Sequence, residues 1–433
     1  MKNILLFGAG KSASVLIEYL LDNAAENNWR VTIADADKEL IEQKTKGHRA
    51  AAAVAVDISD EQKRKTLIVD SDLVISMMPP FLHILIAKDC AEYSKHLLTA
   101  SYADDEIKKL SDEVNKKDIL FLCEMGLDPG IDHMSAMQLI HDIKEKAGKI
   151  TSFKSHCGGL VAPESDNNPW HYKISWNPRN VVLAGKAGAE YLENAHLIRE
   201  EYEDLFHAER IIETGDTSIG TLSYYPNRNS ISYIDLYDLH DAKTFVRTTL
   251  RYPAFMAGWK NIINLKLTDE VPAYNSEGLT LAGFFRQHMD KYKFTLPEDE
   301  TVKEQLYFLG WFDEETMINK GLISAADGLQ FALETKLVLA PSDKDMIVMQ
   351  HEIEYELAGE KKTVVSSLVV KGRDSIHTAM AKTVGLPLGI AAKLILNGTI
   401  KLSGLHLPVI KEIYEPVLKE LEDNGIRFSE RFS

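Results

Sequence analysis

The stretch Ile4-Leu5-Leu6-Phe7-Gly8-Ala9-Gly10-Lys11-Ser12-Ala13 decides the fold. Ile4–Phe7 reads as a short buried strand that runs directly into the pattern G-x-G-x-x-A. Val15, Leu16, Tyr19 and Leu20 follow at helical spacing. Gly8 permits a tight turn off the strand, and Gly10 removes a Cβ where a pyrophosphate must approach the backbone. Ala13 is small enough for close helix–strand packing. The helix start aims N–H groups and partial positive charge at the phosphates, so Gly8, Gly10, Lys11, Ser12 and Ala13 are candidate dinucleotide contacts.

Asp35 closes the second strand, Arg30–Ala34, and argues against a merely structural turn. A carboxylate there accepts from both ribose hydroxyls of NAD and repels the 2′-phosphate of NADP. Ala34-Asp35-Ala36-Asp37 holds no arginine to offset that repulsion, so NAD is favoured over NADP. The other reading makes Asp35 a helix cap and Asp37 the ribose reader. Further strands are expected at Ala51–Val56, Asp72–Met78, His96–Ala100 and Ile119–Cys123, the fourth stopped by Pro79-Pro80. Topology puts Asp57 near the adenine and Met77, Met78 and Pro79 near the nicotinamide. Apolar strands alternating with amphipathic helices define a doubly wound parallel α/β sheet, a Rossmann domain.

After Gly126 the pattern changes to longer, alternating strands at Thr151–Cys157, Phe245–Arg251, Asp345–Leu357 and Thr363–Val370. Helical runs are expected at Thr280–Met289, Val302–Leu309 and Leu322–Leu337. The end of the chain reads as helices at Ser375–Val384, Pro387–Leu396 and Val409–Asp423, with Pro387 and Pro408 as first-turn prolines. The expected organisation is a Rossmann domain over 1–130 and a mixed α+β domain over 131–374 with a helical insertion at about 254–338. Helices over 375–433 return to the first domain.

The formal charge of −16, from 49 basic and 65 acidic side chains, disfavours a nucleic-acid partner. Cys90, Cys123 and Cys157 follow no metal-ligand spacing, so no metal is expected, and they read as reduced thiols of a cytoplasmic protein. No secretory signal is read at Ile4–Phe7, and no membrane span is expected from the apolar runs.

Ligands of an open α/β sheet bind beyond the carboxyl ends of its strands. Two segments should lie there: Thr99-Ala100-Ser101-Tyr102, and Glu124-Met125-Gly126-Leu127-Asp128-Pro129-Gly130-Ile131-Asp132-His133. Asp132 reads as the N-cap of a helix beginning near Met134. Asp128 is open to either a catalytic or a structural role. Further on, Cys157-Gly158-Gly159-Leu160 follows a strand, and Tyr172-Lys173-Ile174-Ser175-Trp176 mixes aromatic and cationic groups. Tyr225-Pro226-Asn227-Arg228 and Thr249-Leu250-Arg251-Tyr252 each set an arginine beside an aromatic. Arginine grips carboxylates bidentately, which points to a polycarboxylate substrate.

These segments, in this order from residue 4 to about 425 together with Ala381-Lys382-Thr383-Val384-Gly385 and Asn397-Gly398-Thr399-Ile400-Lys401, resemble the saccharopine reductase family, the glutamate-forming saccharopine dehydrogenases. The resemblance implies a homodimer, with an α+β domain for substrate and dimer contacts. It also implies the reaction: glutamate and 2-aminoadipate 6-semialdehyde condense to an imine, which a nicotinamide hydride reduces to saccharopine. Substrate contacts would fall on Ser101, Tyr102, Asp128, Arg228, Thr249, Leu250 and Arg251. Asp128 and Cys157 would be the acid–base candidates, although a buried thiol beside two glycines also reads as packing. The chain departs from the family's fungal members at Ala34-Asp35-Ala36, where those carry a basic residue. Two alternatives are another imine reductase, such as a carboxynorspermidine or homospermidine synthase, and a non-catalytic NAD-binding sensor.

Overall fold

The computed structural model describes residues 1–433, which divide into two compact units. Met1–Ala147 with Ile376–Phe428 form the first, and Gly148–Ser375 with Ser429–Ser433 the second. The first boundary therefore falls after residue 147 rather than 130. Helix Ile131–Glu145 belongs to the first unit, where it packs on helix Lys411–Asp423.

In the first unit β1 (Lys2–Phe7), β2 (Trp29–Asp35), β3 (Ala51–Ala55), β4 (Leu73–Ser76), β5 (His96–Thr99) and β6 (Leu120–Leu122) are all parallel. Their order is 6-5-4-1-2-3, and strand Gly404–His406 extends the β6 edge in parallel. β1 and β4 are buried along most or all of their length because helices cover both faces, which explains why they read as unbroken apolar runs. One face packs Leu5, Phe7, Val74 and Phe121 against Ile68, Ile86 and Ile107.

α1 (Ser14–Asp22) lies against a long helix, Ala379–Leu396, where the expectation of two helices fails. Pro387 sits inside this helix rather than in a first turn. Packing overrides the local cost of the missing N–H: Gly385 and Gly389 bring the helix so close to α1 that an added Cβ would meet Leu16 N at 2.9 Å and Tyr19 Cδ1 at 2.5 Å. By length and composition this helix is also long and apolar enough to span a bilayer, contrary to the reading of the apolar runs, but 72% of it is buried within the structure. Sequence reading also missed the two short strands in 375–433, Gly404–His406 and Ser429–Phe432. The second of these belongs to the second unit, where it pairs with Glu360–Lys371.

In the second unit a mixed ten-stranded sheet has strand Lys149–Val161 near its centre. That strand runs parallel to Thr244–Arg251 and antiparallel to Asp345–Leu357, which forms a hairpin with Glu360–Lys371. The short strands between residues 189 and 229 were not foreseen, being only two to six residues long. Helices Pro253–Asn264, Leu281–Tyr292, Glu300–Phe308 and Ala325–Lys336 enclose a separate core of Trp170, Trp259, Phe255, Phe284, Leu306 and Leu333.

Candidate active site

The glycine turn leaves β1 with Gly8 at φ +97°, and a Cβ there would meet Met77 O at 2.9 Å. Only glycine accommodates both the positive φ and that approach. Gly10 differs: its φ is −61°, and a Cβ would meet nothing within 4 Å. The space beside Gly10 is an open cradle at the carboxyl edge of the sheet, of the kind a pyrophosphate fills. Lys11–Ala13 form a single 3₁₀ turn before α1 begins at Ser14, with Lys11 exposed, Ser12 half-buried and Ala13 buried.

Asp35 is held against this turn. Its Oδ2 accepts from Ala9 N at 2.7 Å and its Oδ1 from Asp37 N at 3.0 Å. Asp37, rather than Asp35, caps helix α2 (Lys38–Thr45), accepting from Leu40 N. Lys44 reaches back from α2 to donate to Gly10 O at 2.6 Å. Burial pushes its pKa down to about 8, against the opposing pull of the Asp35 charge. Asp57 lies just past β3 and is fully exposed, with Oδ1 accepting from Ser59 N and Oγ; those bonds lower its pKa. Met77, Met78 and Pro79 follow β4, and Met77 N bonds Phe7 O at 2.8 Å.

The segments after β5 and β6 meet at the same edge of the first unit. Tyr102 OH lies 3.4 Å from Asp128 Oδ1, a long contact that brings two expected substrate residues together. The intervening backbone folds tightly: Asp128–Pro129 is a cis peptide, and Gly130 has φ +147°. A Cβ at Gly130 would meet Gly126 O at 2.1 Å, and one at Gly126 would meet Ala100 Cβ at 3.0 Å and Pro129 O at 3.1 Å. Asp132 is not an N-cap, because the helix begins at Ile131 after Gly130. From the first turn its Oδ1 accepts from Gly130 N at 2.6 Å. Glu124, an unforeseen member of this cluster, ties the two segments: Oε1 accepts from Ala103 N and Oε2 bonds His133 Nε2 at 2.8 Å. All three of Glu124, Asp132 and His133 are buried.

In the second unit, strand register gathers the remaining candidates. Tyr225, Thr249, Cys157 and Met349 are successive cross-strand neighbours, so their side chains share one face of the sheet. Arg247 and Arg251, two residues either side of Thr249, point to that face as well. Leu250 points the other way, into the core with Leu222 and Val348, so only its backbone remains available to a ligand. Gly158 is required because a Cβ would meet Leu250 Cβ and O at 2.6 Å.

Arg251 is buried, its guanidinium 5.3 Å from the Tyr172 ring and 5.5 Å from the Phe255 ring. One nitrogen donates to Leu250 O at 2.7 Å, and Nε has no hydrogen-bond partner. Arg228 is exposed, at φ +53°, in a two-residue strand beside Ala189. The Tyr172–Trp176 segment is held in place by its own polar contacts. Lys173 forms a buried ion pair with Asp343 at 2.6 Å, and the Tyr172 hydroxyl accepts from Trp176.

A parallel sheet carrying a glycine turn and an acidic second-strand end defines the class: a nicotinamide-dinucleotide oxidoreductase. Residues 4–122 match the model of the saccharopine dehydrogenase NADP binding domain, and residues 126–426 that of the saccharopine dehydrogenase C-terminal domain. The chain belongs to the saccharopine dehydrogenase family. It is 33% identical to saccharopine dehydrogenase (NADP(+), L-glutamate-forming) of Saccharomyces cerevisiae, over 99% of each chain. It is 31% identical to alpha-aminoadipic semialdehyde synthase of Arabidopsis thaliana, covering 99% of this chain but only 44% of that protein. The solved apo structure of the yeast L-Glu-forming enzyme superposes over the full length of both chains, with a TM-score of 0.87 at 32% identity. A homospermidine synthase of Legionella pneumophila shares the fold alone, with a TM-score of 0.62 at 8% identity.

Proposed function

We propose that this chain interconverts saccharopine with L-glutamate and 2-aminoadipate 6-semialdehyde. The observation that carries the reading is Arg251. It is a buried guanidinium with one nitrogen unpartnered, on the same sheet face as Thr249 and Cys157. Burying an unsatisfied charge is costly unless a ligand completes it, and a carboxylate is its natural complement. Saccharopine carries three carboxylates, whereas a polyamine would want anionic and aromatic groups in its place. The name of the yeast relative supports the same substrate.

The bound nicotinamide dinucleotide supplies or accepts the hydride at the C–N bond. The open side of Gly10 and the backbone of Lys11–Ala13 suit its pyrophosphate, and Asp35 suits its adenosine ribose. The yeast relative's name and the matched family model both say NADP. For this chain we favour NAD, because a 2′-phosphate would meet the Asp35 carboxylate, with Lys44 nearby as a partial counterweight. Asp128, within reach of Tyr102, is the candidate to move a proton at the substrate nitrogen, and Cys157 is the second candidate. Arg228 is assigned a second carboxylate. By family resemblance the proposal extends to a homodimer and a cytoplasmic location, tested by analytical ultracentrifugation and cell fractionation.

The direct test is steady-state oxidation of saccharopine with NAD and with NADP. Reduced cofactor should accumulate with both glutamate and the semialdehyde, with the higher kcat/KM for NAD. Absence of turnover at high enzyme concentration removes the reading, and a higher kcat/KM for NADP removes the cofactor preference alone.

A further inference from the structure

One buried titratable group at the catalytic edge has no part in the function above. His83 opens helix His83–Glu92 after the 3₁₀ turn Pro80–Leu82, and the residue is 2% exposed. Nδ1 lies 2.7 Å from Ser76 Oγ and Nε2 lies 2.8 Å from Ser101 Oγ, with Thr99 Oγ1 at 3.4 Å from Nε2. Ser76 and Thr99 are the final, paired residues of β4 and β5. Ser101 N in turn bonds Thr99 Oγ1 at 3.2 Å. The ring therefore clamps two neighbouring strand ends and the first residues beyond them.

Hydrogen-bond geometry sets the direction of these bonds: Ser76 Oγ lies 2.7 Å from Nδ1, whereas the other buried hydroxyl, Thr99, stands 3.4 Å from Nε2 and accepts from Ser101 N. A neutral imidazole has one donor and one acceptor nitrogen. Burial lowers the His83 pKa to about 4, opposed by the nearby Asp104 charge, so the ring is neutral at working pH. Ser76 is buried, and its hydroxyl has the ring as its hydrogen-bond partner. If Nδ1 carried the proton, the Ser76 O–H would have no acceptor in a dry site, an uncompensated loss. Ser76 therefore donates to Nδ1, and Nε2–H donates to Ser101 Oγ. The Ser101 proton is then left for another acceptor, which suits a substrate carboxylate. Ser101 adjoins Tyr102, which reaches Asp128.

We propose that His83 is a positioning residue: its Nε2–H tautomer holds Ser101 as a hydrogen-bond donor to a carboxylate of the amino-acid substrate. This rests on the saccharopine reading, because Ser101 enters as a substrate contact only there.

Two isosteric replacements separate the two ring nitrogens. The amide nitrogen of glutamine reaches the place of Nε2, whereas asparagine reaches only that of Nδ1. His83→Gln should keep the KM for saccharopine within about threefold of wild type. His83→Asn and Ser101→Ala should each raise it about tenfold or more, as expected for losing a hydrogen bond to a charged group. The dinucleotide KM should stay unchanged in all three. The double variant His83→Asn/Ser101→Ala should be no worse than Ser101→Ala, since the two act as one unit. Equal losses in the Gln and Asn variants, or multiplying effects in the double variant, overturn the proposal. Nitrogen NMR of wild-type protein labelled in its histidines reads the tautomer without substrate and without relying on any variant to fold. A proton on Nε2 from pH 8 to pH 5 is expected; one on Nδ1, or a charged ring, overturns the arrangement. Wild-type enzyme that does not oxidise saccharopine removes the functional reading instead, a result the NMR tautomer cannot produce.

Discussion

Asp35 and His83 show what one residue contributes at this site. Asp35 was legible in the sequence because a strand end following a glycine turn has few other uses for a carboxylate. The structure adds that both of its oxygens accept backbone N–H groups, which fixes its orientation beside the glycine turn. Replacing Asp35 with Ala and Ala36 with Arg should shift the ratio of kcat/KM values toward NADP; an unchanged ratio removes Asp35 from cofactor recognition. His83 was not legible, since a histidine after two prolines carries no signal until the strand ends around it are placed. Burial holds His83 and His156 neutral, at pKa values of about 4 and 3 against an ordinary 6.5. The unfolded chain therefore takes up these protons first as pH falls. Stability from these groups is complete above pH 6.5 and declines toward pH 4, by at most about 1.4 kcal/mol per pH unit for each ring. Urea unfolding from pH 7 to pH 4.5 should show this slope, and His83→Asn should flatten it. A slope unaffected by the substitution assigns the acid sensitivity elsewhere.

Among the elements, those whose burial is set locally were the readable ones. β1, β2 and the hairpin strands Asp345–Leu357 and Glu360–Lys371 announce themselves by apolar runs or alternation. Helix Ala379–Leu396 did not, because a proline in its middle argues for a break that only its packing on α1 overrules. The two- to six-residue strands between 189 and 229 owe their existence to neighbours, and their own composition does not reveal them. In the Tyr172–Trp176 segment the sequence shows the cation but not its partner, since Asp343, which pairs with Lys173, lies far along the chain. Close packing also makes the glycines of these elements unequal. Gly389→Leu should force α1 and its partner helix apart, at a cost of about 1–3 kcal/mol by urea unfolding, because the nearest atom belongs to the Tyr19 ring. Gly130→Ala should cost more than that range. Its φ of +147° and the Gly126 carbonyl at 2.1 Å are both backbone constraints that no side-chain motion relieves. Equal costs would mean that the turn has slack the structure does not show.

On the scale of the whole molecule, each of the two units has its own core and its own candidate residues, the glycine turn in the first and Arg251 in the second, and ligand linkage can test each set separately. A ligand that binds only the folded chain stabilises it by RT ln(1 + [L]/Kd), about 2.7 kcal/mol at a hundredfold excess over Kd. Gly10 offers a clean way to remove the cofactor. Its φ of −61° suits any residue and the space beside it is empty of protein, so Gly10→Val should fold with nearly wild-type stability. The added side chain would nonetheless stand where the pyrophosphate approaches, so the thermal shift caused by dinucleotide should vanish. Arg251→Ala should do the reverse. It should keep the full dinucleotide shift while weakening the amino-acid substrate by about 1.5–3 kcal/mol through loss of a charged hydrogen-bond partner. Thermal melts of both variants with each ligand give four measurements that must fall in this crossed pattern. Loss of the dinucleotide shift in Arg251→Ala would make that arginine structural, and a persisting shift in Gly10→Val would move the cofactor away from the glycine turn.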